Sequence, residues 1–132
     1  MSDFQPIRFE IDTANRLRRA IFTGLITEPI LLQSYTELLS DIDYDSTLND
    51  LVDMTNVERL EVAGSGVRDL VDMFTKSGAV SSTKLALVAP LSHVFGLSRM
   101  YEMMSEGTSE QIQVFSDLKE AEEWLGIAPS NK

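Results

Sequence analysis

The segment "KLALVAP", Lys84 to Pro90, constrains the fold more than any other part of the chain. Its apolar run is too short for a helix, and it is bounded by a lysine and a proline. It shows none of the apolar–polar alternation of a strand with one wet face, so it reads as a strand covered on both sides. Strands of that kind belong to parallel sheets, whose crossover helices supply the cover.

The remaining segments agree with that reading. "IRFEID" (Ile7–Asp12) alternates, and "RRAIFTG" (Arg18–Gly24) follows so closely that an antiparallel hairpin with "TAN" at its tip is expected. "TEPILLQSYTELLSDI" reads as a helix capped by Thr27, with Pro29 in its first turn and Ile30, Leu31, Tyr35, Leu38, Leu39 and Ile42 at helical spacing. "DLVDMT" (Asp50–Thr55) reads as a short buried strand. "GVRDLVDMFTKSG" is the next helix, with Val67, Leu70, Val71 and Phe74 on one face and Gly78 as its stop. After "KLALVAP" comes a third helix, "LSHVFGLSRMYEMMSEG", ending near Gly107. The last strand is "IQVFSD" (Ile112–Asp117). "DLKEAEEWLG" closes the pattern, with Asp117 as N-cap, Glu120 at the capping-box position, Trp124 and Leu125 as core anchors and Gly126 as the stop.

The order is therefore β-β-α-β-α-β-α-β-α. It predicts an α/β fold with a mostly parallel sheet of about five strands, an antiparallel N-terminal edge hairpin and about four helices on its faces. At 132 residues the chain is expected to form a single domain over 1–126, with 127–132 as a flexible tail.

Charge and cysteine usage remove several function classes. A formal net charge of −10, from Asp+Glu 21 against Lys+Arg 11, opposes nucleic acid and anionic membranes as partners. With no cysteine there is no disulfide, thiolate metal site or thiol nucleophile. No apolar run approaches the ~20 residues that span a bilayer, and no leader pattern opens the chain, so a cytoplasmic protein without stable membrane insertion is expected.

Four features invite a chemical reading. The "AGSGVRD" turn offers Gly64, Ser65 and Gly66 at a helix mouth with Arg68 beside them, a candidate anion or regulatory site; a glycine turn that merely enters the helix is the plainer reading. Asp41, Asp43 and Asp45 match the first ligand positions of a calcium loop. Ser46 and Val52 then stand where that loop needs a glycine and a bidentate glutamate, so a solvated acidic connection is expected. His93, the only histidine, lacks the second ligand of a metal site and any spaced partner for a catalytic relay, and Ser92 beside it reads as a helix cap. No metal, cofactor or catalytic residue is called for, although Arg99 with Tyr101 would be the pair to test for enzymatic activity.

The third helix is the most informative element. Val94, Leu97, Tyr101 and Met104 form one stripe that can cover the sheet, whereas Phe95, Met100 and Met103 lie outside it. A second apolar face must be buried by another helix, another subunit or a ligand, and flexible methionines suit an adaptable surface. A homo-oligomeric contact through Phe95, Met100 and Met103, rimmed by Arg99, is the expectation.

The string "KLALVAPLSHVFGLSRMYEMM" followed by "IQVFSDLKEAEEWLG" resembles the SpoIIAA-like proteins, small bacterial relatives of the STAS domain. The most specific part is the pairing of "FGLSRMYE" with "VFSDLKEAEEWLG", and the resemblance covers essentially the whole chain. It implies a STAS-like fold and a non-enzymatic interaction or regulatory module that binds itself and a regulatory protein. In STAS anti-sigma-factor antagonists an Asp-Ser-Ser-Gly turn carries a phosphorylatable serine. Laid gaplessly on this chain, that turn falls on Glu61, Val62, Ala63 and Gly64, so Ala63 stands at the acceptor position and only Ser65, two residues on, carries a hydroxyl. The wider superfamily includes Sec14-type lipid-transfer proteins. That implies the alternative function, a carrier of a lipid, an acyl chain or another small molecule.

Overall fold

Thr27 ends one strand and begins a helix. It is the last residue of β2 (Leu17–Thr27), and its hydroxyl accepts the Ile30 N–H at 3.4 Å to cap α1 (Glu28–Ser40). The structure, a computed structural model, describes residues 5–78, 83–108 and 110–128. β1 (Ile7–Asp12) precedes β2, and α1 is followed by β3 (Asn49–Glu61), α2 (Gly64–Ser77), β4 (Lys84–Val88), α3 (Ser92–Met104), β5 (Gln111–Phe115) and α4 (Leu118–Leu125). The predicted element order is the observed one.

One sheet holds all the strands, in the spatial order β1-β2-β3-β4-β5. β1 pairs antiparallel with β2, and every later pair is parallel. In the hairpin, the Asp12 carboxylate accepts from the Asn15 backbone and side chain, which lets Arg16 take φ 50° at the turn.

A strand order that never reverses decides where the helices go. Each right-handed crossover steps the same way along the sheet, so α1, α2 and α3 all fall on one face. Only α4, which follows the last strand and closes no crossover, packs on the other. The strands then sort their side chains by parity. Ala20, Phe22, Val52, Met54, Leu85, Leu87 and Val114 enter the larger core beneath α1–α3. Leu17, Leu51, Ala86, Val88 and Phe115 enter a smaller core under α4, with Ala121 and Leu125.

Several boundaries differ from expectation. β2 runs three residues past Gly24 to Thr27, and β3 runs on through "NVERLE" to Glu61. Beyond Asp53 this extension pairs with β2 alone, since the β3–β4 ladder covers only Asp50 to Asp53. A register shift at Gly24, which has φ 76°, lets the two strands bend together. With both faces of the extension partly wet, its charged residues hid it from an apolar-run reading. α1 stops at Ser40, because Asp41 turns extended and its carboxylate accepts the Asp43 N–H at 2.8 Å. Ile42, expected on the buried stripe, is 96% exposed as a result. Ser92 does not cap α3. The N-cap is Leu91, and no side chain accepts there.

Asp117 caps α4 as expected by accepting the Lys119 N–H, and Gly78 and Gly126 end their helices at φ 70° and 75°. Leu125 is buried, while Trp124 is only partly so and packs on Phe115 with the Lys84 ammonium over its ring. Of the expected loose tail, Ile127 packs on the smaller core and donates its N–H to the Glu122 carbonyl. Residues 129–132 lie outside the described residues.

Candidate functional site

The larger core is not filled. Between the sheet and α1–α3 lies a cavity of about 90 Å³. Most of its wall is apolar: Phe22, Val52, Met54, Leu85 and Leu87 from the strands, with Leu31, Val67, Leu70, Phe74 and Leu97 from the helices. Polar groups gather at one end. Parity and register explain why. Arg18 begins the cavity-facing row of β2, and its partner across the ladder, Asp50, begins that of β3. Glu110 stands two residues before Ile112, just ahead of β5, and lines the cavity as well. All three sit at the N-terminal edge of the parallel strands, beside the C-terminal halves of α1 and α3, which contribute Tyr35 and Tyr101.

Arg18 is 2% exposed and fully engaged. Its guanidinium reaches Asp50 Oδ1 at 3.3 Å, donates to the Asp45 carbonyl, and lies over the Tyr44 ring at 4.5 Å from the centroid. The acidic loop therefore serves as a clamp on Arg18. Asp45 and Asp41 spend their carboxylates within the loop, on Thr47 and on the Asp43 N–H. No set of His, Cys, Asp and Glu among the described residues is grouped to hold a metal ion.

One buried cation faces two carboxylates. Burial pushes the Asp50 carboxyl up to about 6 against the pull of Arg18. Glu110 goes up to about 7, through burial first and then the neighbouring Asp50, with Arg18 opposing. Burial also raises the Tyr35, Tyr44 and Tyr101 hydroxyls, which therefore remain protonated across the physiological range. Glu110 makes no hydrogen bond or ion pair with the described residues. The Tyr35 ring is wedged among Phe9, Phe22 and Phe74, and no described residue hydrogen-bonds its hydroxyl. Tyr35 itself is among the residues that line the cavity.

Beyond Arg18, Leu38 and Tyr44, which it shares with the cavity, lies a surface groove of about 410 Å³. Its other walls come from the hairpin, through Phe9 and Ile11, and from the acidic loop, through Asp41, Asp43 and Asp45. These three side chains thus line both spaces.

The residues singled out from the sequence lie elsewhere. Gly64, Ser65 and Gly66 form the first turn of α2 rather than a loop before it, with Ala63 as N-cap. The anion at that helix end is the protein's own: Glu28 Oε1 accepts the Ala63 N–H at 3.2 Å. Gly66 is what admits it, since a Cβ there would fall 2.2 Å from the same oxygen. Ser65 and Arg68 are exposed. On α3, Phe95 and Met100 pack against the larger core, and the Met100 sulfur lies over Gly64. Arg99 pairs with Glu102 at 3.1 Å, which leaves Met103, 62% exposed, as the residue of that set turned to solvent. α2 therefore takes up much of the second apolar face. Tyr101 points into the cavity end and hydrogen-bonds Ser105, away from the exposed Arg99. His93 is exposed and accepts the Leu60 N–H on Nε2 at 3.4 Å, which ties α3 to the β3 extension.

Sequence reasoning missed the cavity cluster. The signal was Arg18 and Asp50, charges at the first inward positions of strands with apolar continuations.

No protein-family model matches the sequence, and no curated protein does. Among solved structures, the fold is similar to that of an uncharacterised DUF3478-family protein with a SpoIIAA-like fold from Shewanella loihica PV-4. The two share 17% identity with a TM-score of 0.58, over 95% of this chain and 98% of that one. The chain has a SpoIIAA-like fold. That agrees with the fold the sequence resemblance implied. No helix among the described residues is long and apolar enough to cross a membrane.

Proposed function

We propose that this SpoIIAA-like module is a non-catalytic binding protein that takes one small apolar molecule into the space between the sheet and α1–α3. One observation carries the reading: the cavity of about 90 Å³, walled by apolar side chains and closed at one end by a polar cluster. A single water needs ~10–15 Å³ of such space, and apolar walls do not hold water well, so a void of this size favours an apolar guest. It suits a ring or a short alkyl chain. A longer acyl chain, as a lipid carrier would need, requires α2 or α3 to move outward.

Native mass spectrometry of gently purified protein tests this directly. The expected spectrum shows extra mass at one molecule per chain, and the mass is absent from Ser98→Leu. Ser98 lines the cavity from α3, so a leucine there fills the space without changing the surface. Full ligand retention by Ser98→Leu would overturn the reading.

A second reading, self-association through α3, is favoured by the exposure of Met103. The same spectra give the subunit number, and dispersal of an oligomer by Met103→Lys would support it.

A further inference from the structure

We infer that the ligand carries a cationic amine, with its apolar part in the cavity and its ammonium group against Glu110, Asp50 and the Tyr35 hydroxyl. This rests on the cavity reading above and names the chemistry that the polar end selects. An ammonium is all donor, with three N–H groups and no acceptor. The cavity end presents the complement. Glu110 has no hydrogen-bonding partner among the described residues, and Asp50 has only Arg18. Tyr35, 8% exposed, offers a hydroxyl that no described residue engages.

Charge points the same way. With both carboxylates ionised, Arg18, Asp50 and Glu110 sum to one excess negative charge. A bound ammonium restores neutrality, whereas a carboxylate would meet two others while the only arginine is already occupied by Asp50, the Asp45 carbonyl and Tyr44. The C-terminal halves of α1 and α3 flank the site, and helix C-termini favour cations. Tyr101 lines the same cavity with an aromatic ring, a group to which cations are attracted. The groove that shares Arg18, Leu38 and Tyr44 with the cavity carries Asp41, Asp43 and Asp45 against Arg16 and Arg18, a small excess of negative charge on a chain of net charge −10.

The experiment compares butylamine, 1-butanol and butyrate, three probes with one apolar chain and different ends, by amide NMR titration of the intact protein. At about pH 8, butylamine is expected to bind at least ~10-fold more tightly than either of the others, about the worth of one charge-assisted contact. Its affinity should fall by about tenfold at about pH 5.5, where Asp50 and Glu110 take up protons while the three tyrosines stay neutral. Glu110→Gln should bring the amine to within about threefold of the alcohol. Asp50→Asn should act in the same direction and serves as the second variant should the first fold poorly. If 1-butanol or butyrate binds as tightly as the amine, or if both variants keep the preference, the amine assignment is overturned and the cavity reading stands. If no probe shifts the amides lining the cavity, both fall together.

Discussion

Arg18 and Arg19 are neighbours on one strand, and each meets a carboxylate on the opposite side of the sheet from the other. Arg19 points under α4 and pairs with Glu122 at 3.4 Å, where the Glu122 side chain is 2% exposed beside the smaller core. Arg18 points beneath α1–α3 and pairs with Asp50 at 3.3 Å, beside an unfilled cavity and a second carboxylate. The chemistry of the pairs is the same, but their surroundings are not. The first pair, with Glu122 buried and Arg19 20% exposed, ties α4 to β2. The second pair borders open space with more acceptors than donors around it, which leaves room for the ligand proposed above. The two faces also follow from topology: the three crossover helices share one face, and the cavity lies beneath them.

Packing loss should separate the faces most sharply. Leu51→Ala, at 0% exposure under α4, is expected to cost about 3–5 kcal/mol, because the side chains around it relax only partly into the space. Leu87→Ala, on the cavity wall, already lacks neighbours on one side and should cost about 2 kcal/mol, near the low end for such changes. Urea unfolding of both variants checks the difference. Equal losses would mean that the cavity is occupied or collapsed in solution.

Arg18→Met tests the open pair. It leaves Asp50 beside Glu110 without a cation, and it releases the Asp45 carbonyl and the Tyr44 ring. A loss of about 2–4 kcal/mol is expected at about pH 8, shrinking towards about pH 5 as the carboxylates protonate. A pH-independent loss would show that the loop clamp, not the charge, is what Arg18 supplies.

Much of this was legible beforehand, and what was not has a physical cause. Element order could be read because the apolar runs at Leu85–Val88 and Val114–Phe115 and the stripe from Val94 to Tyr101 carry clear periodicities. The extension of β3 was hidden because Arg59 and Glu61 look like loop residues unless β2 is known to run beside them. The turn at Gly64–Gly66 drew attention through its glycines. Their use depends on Glu28, thirty-five residues away from Ala63, which no local pattern reveals. The cavity cluster joins Arg18, Tyr35, Asp50, Tyr101 and Glu110 from five separate segments, and only strand register together with the packing of α1 and α3 on the sheet brings them together.

Glu110→Gln sharpens the charge comparison. Asp50 and Glu110 both have folded-state pKa values raised above their ordinary ones, so the native state holds more protons than the unfolded chain between about pH 4 and 7. Their contribution to stability is thus full below about pH 4 and is lost as pH rises through 6 and 7. Replacing Glu110 removes one of the two. The variant should be about 1–2 kcal/mol more stable than wild type at about pH 8, discounted for the partial exposure of Glu110, with a flatter pH profile in thermal unfolding. A variant less stable than wild type at that pH would mean that Glu110 has a partner in solution.

Gly66→Ala is the smallest change and bears on the other end of the cavity-side layer. Alanine is the better helix former by ~1 kcal/mol at an ordinary interior position, so the substitution would normally stabilise α2. Here the new methyl would sit on Glu28 Oε1 and push its carboxylate away from the Ala63 N–H. Glu28 is a flexible side chain, so the backbone can stay where it is and only the cap is lost. The two effects oppose, and a net loss of no more than about 1 kcal/mol is expected. Glu28→Ala separates them: once that side chain is gone, Gly66→Ala should cost less than it does in wild type. If the two substitutions instead add without coupling, Glu28 does not hold the α2 N-terminus, and that helix end is free for an external anion.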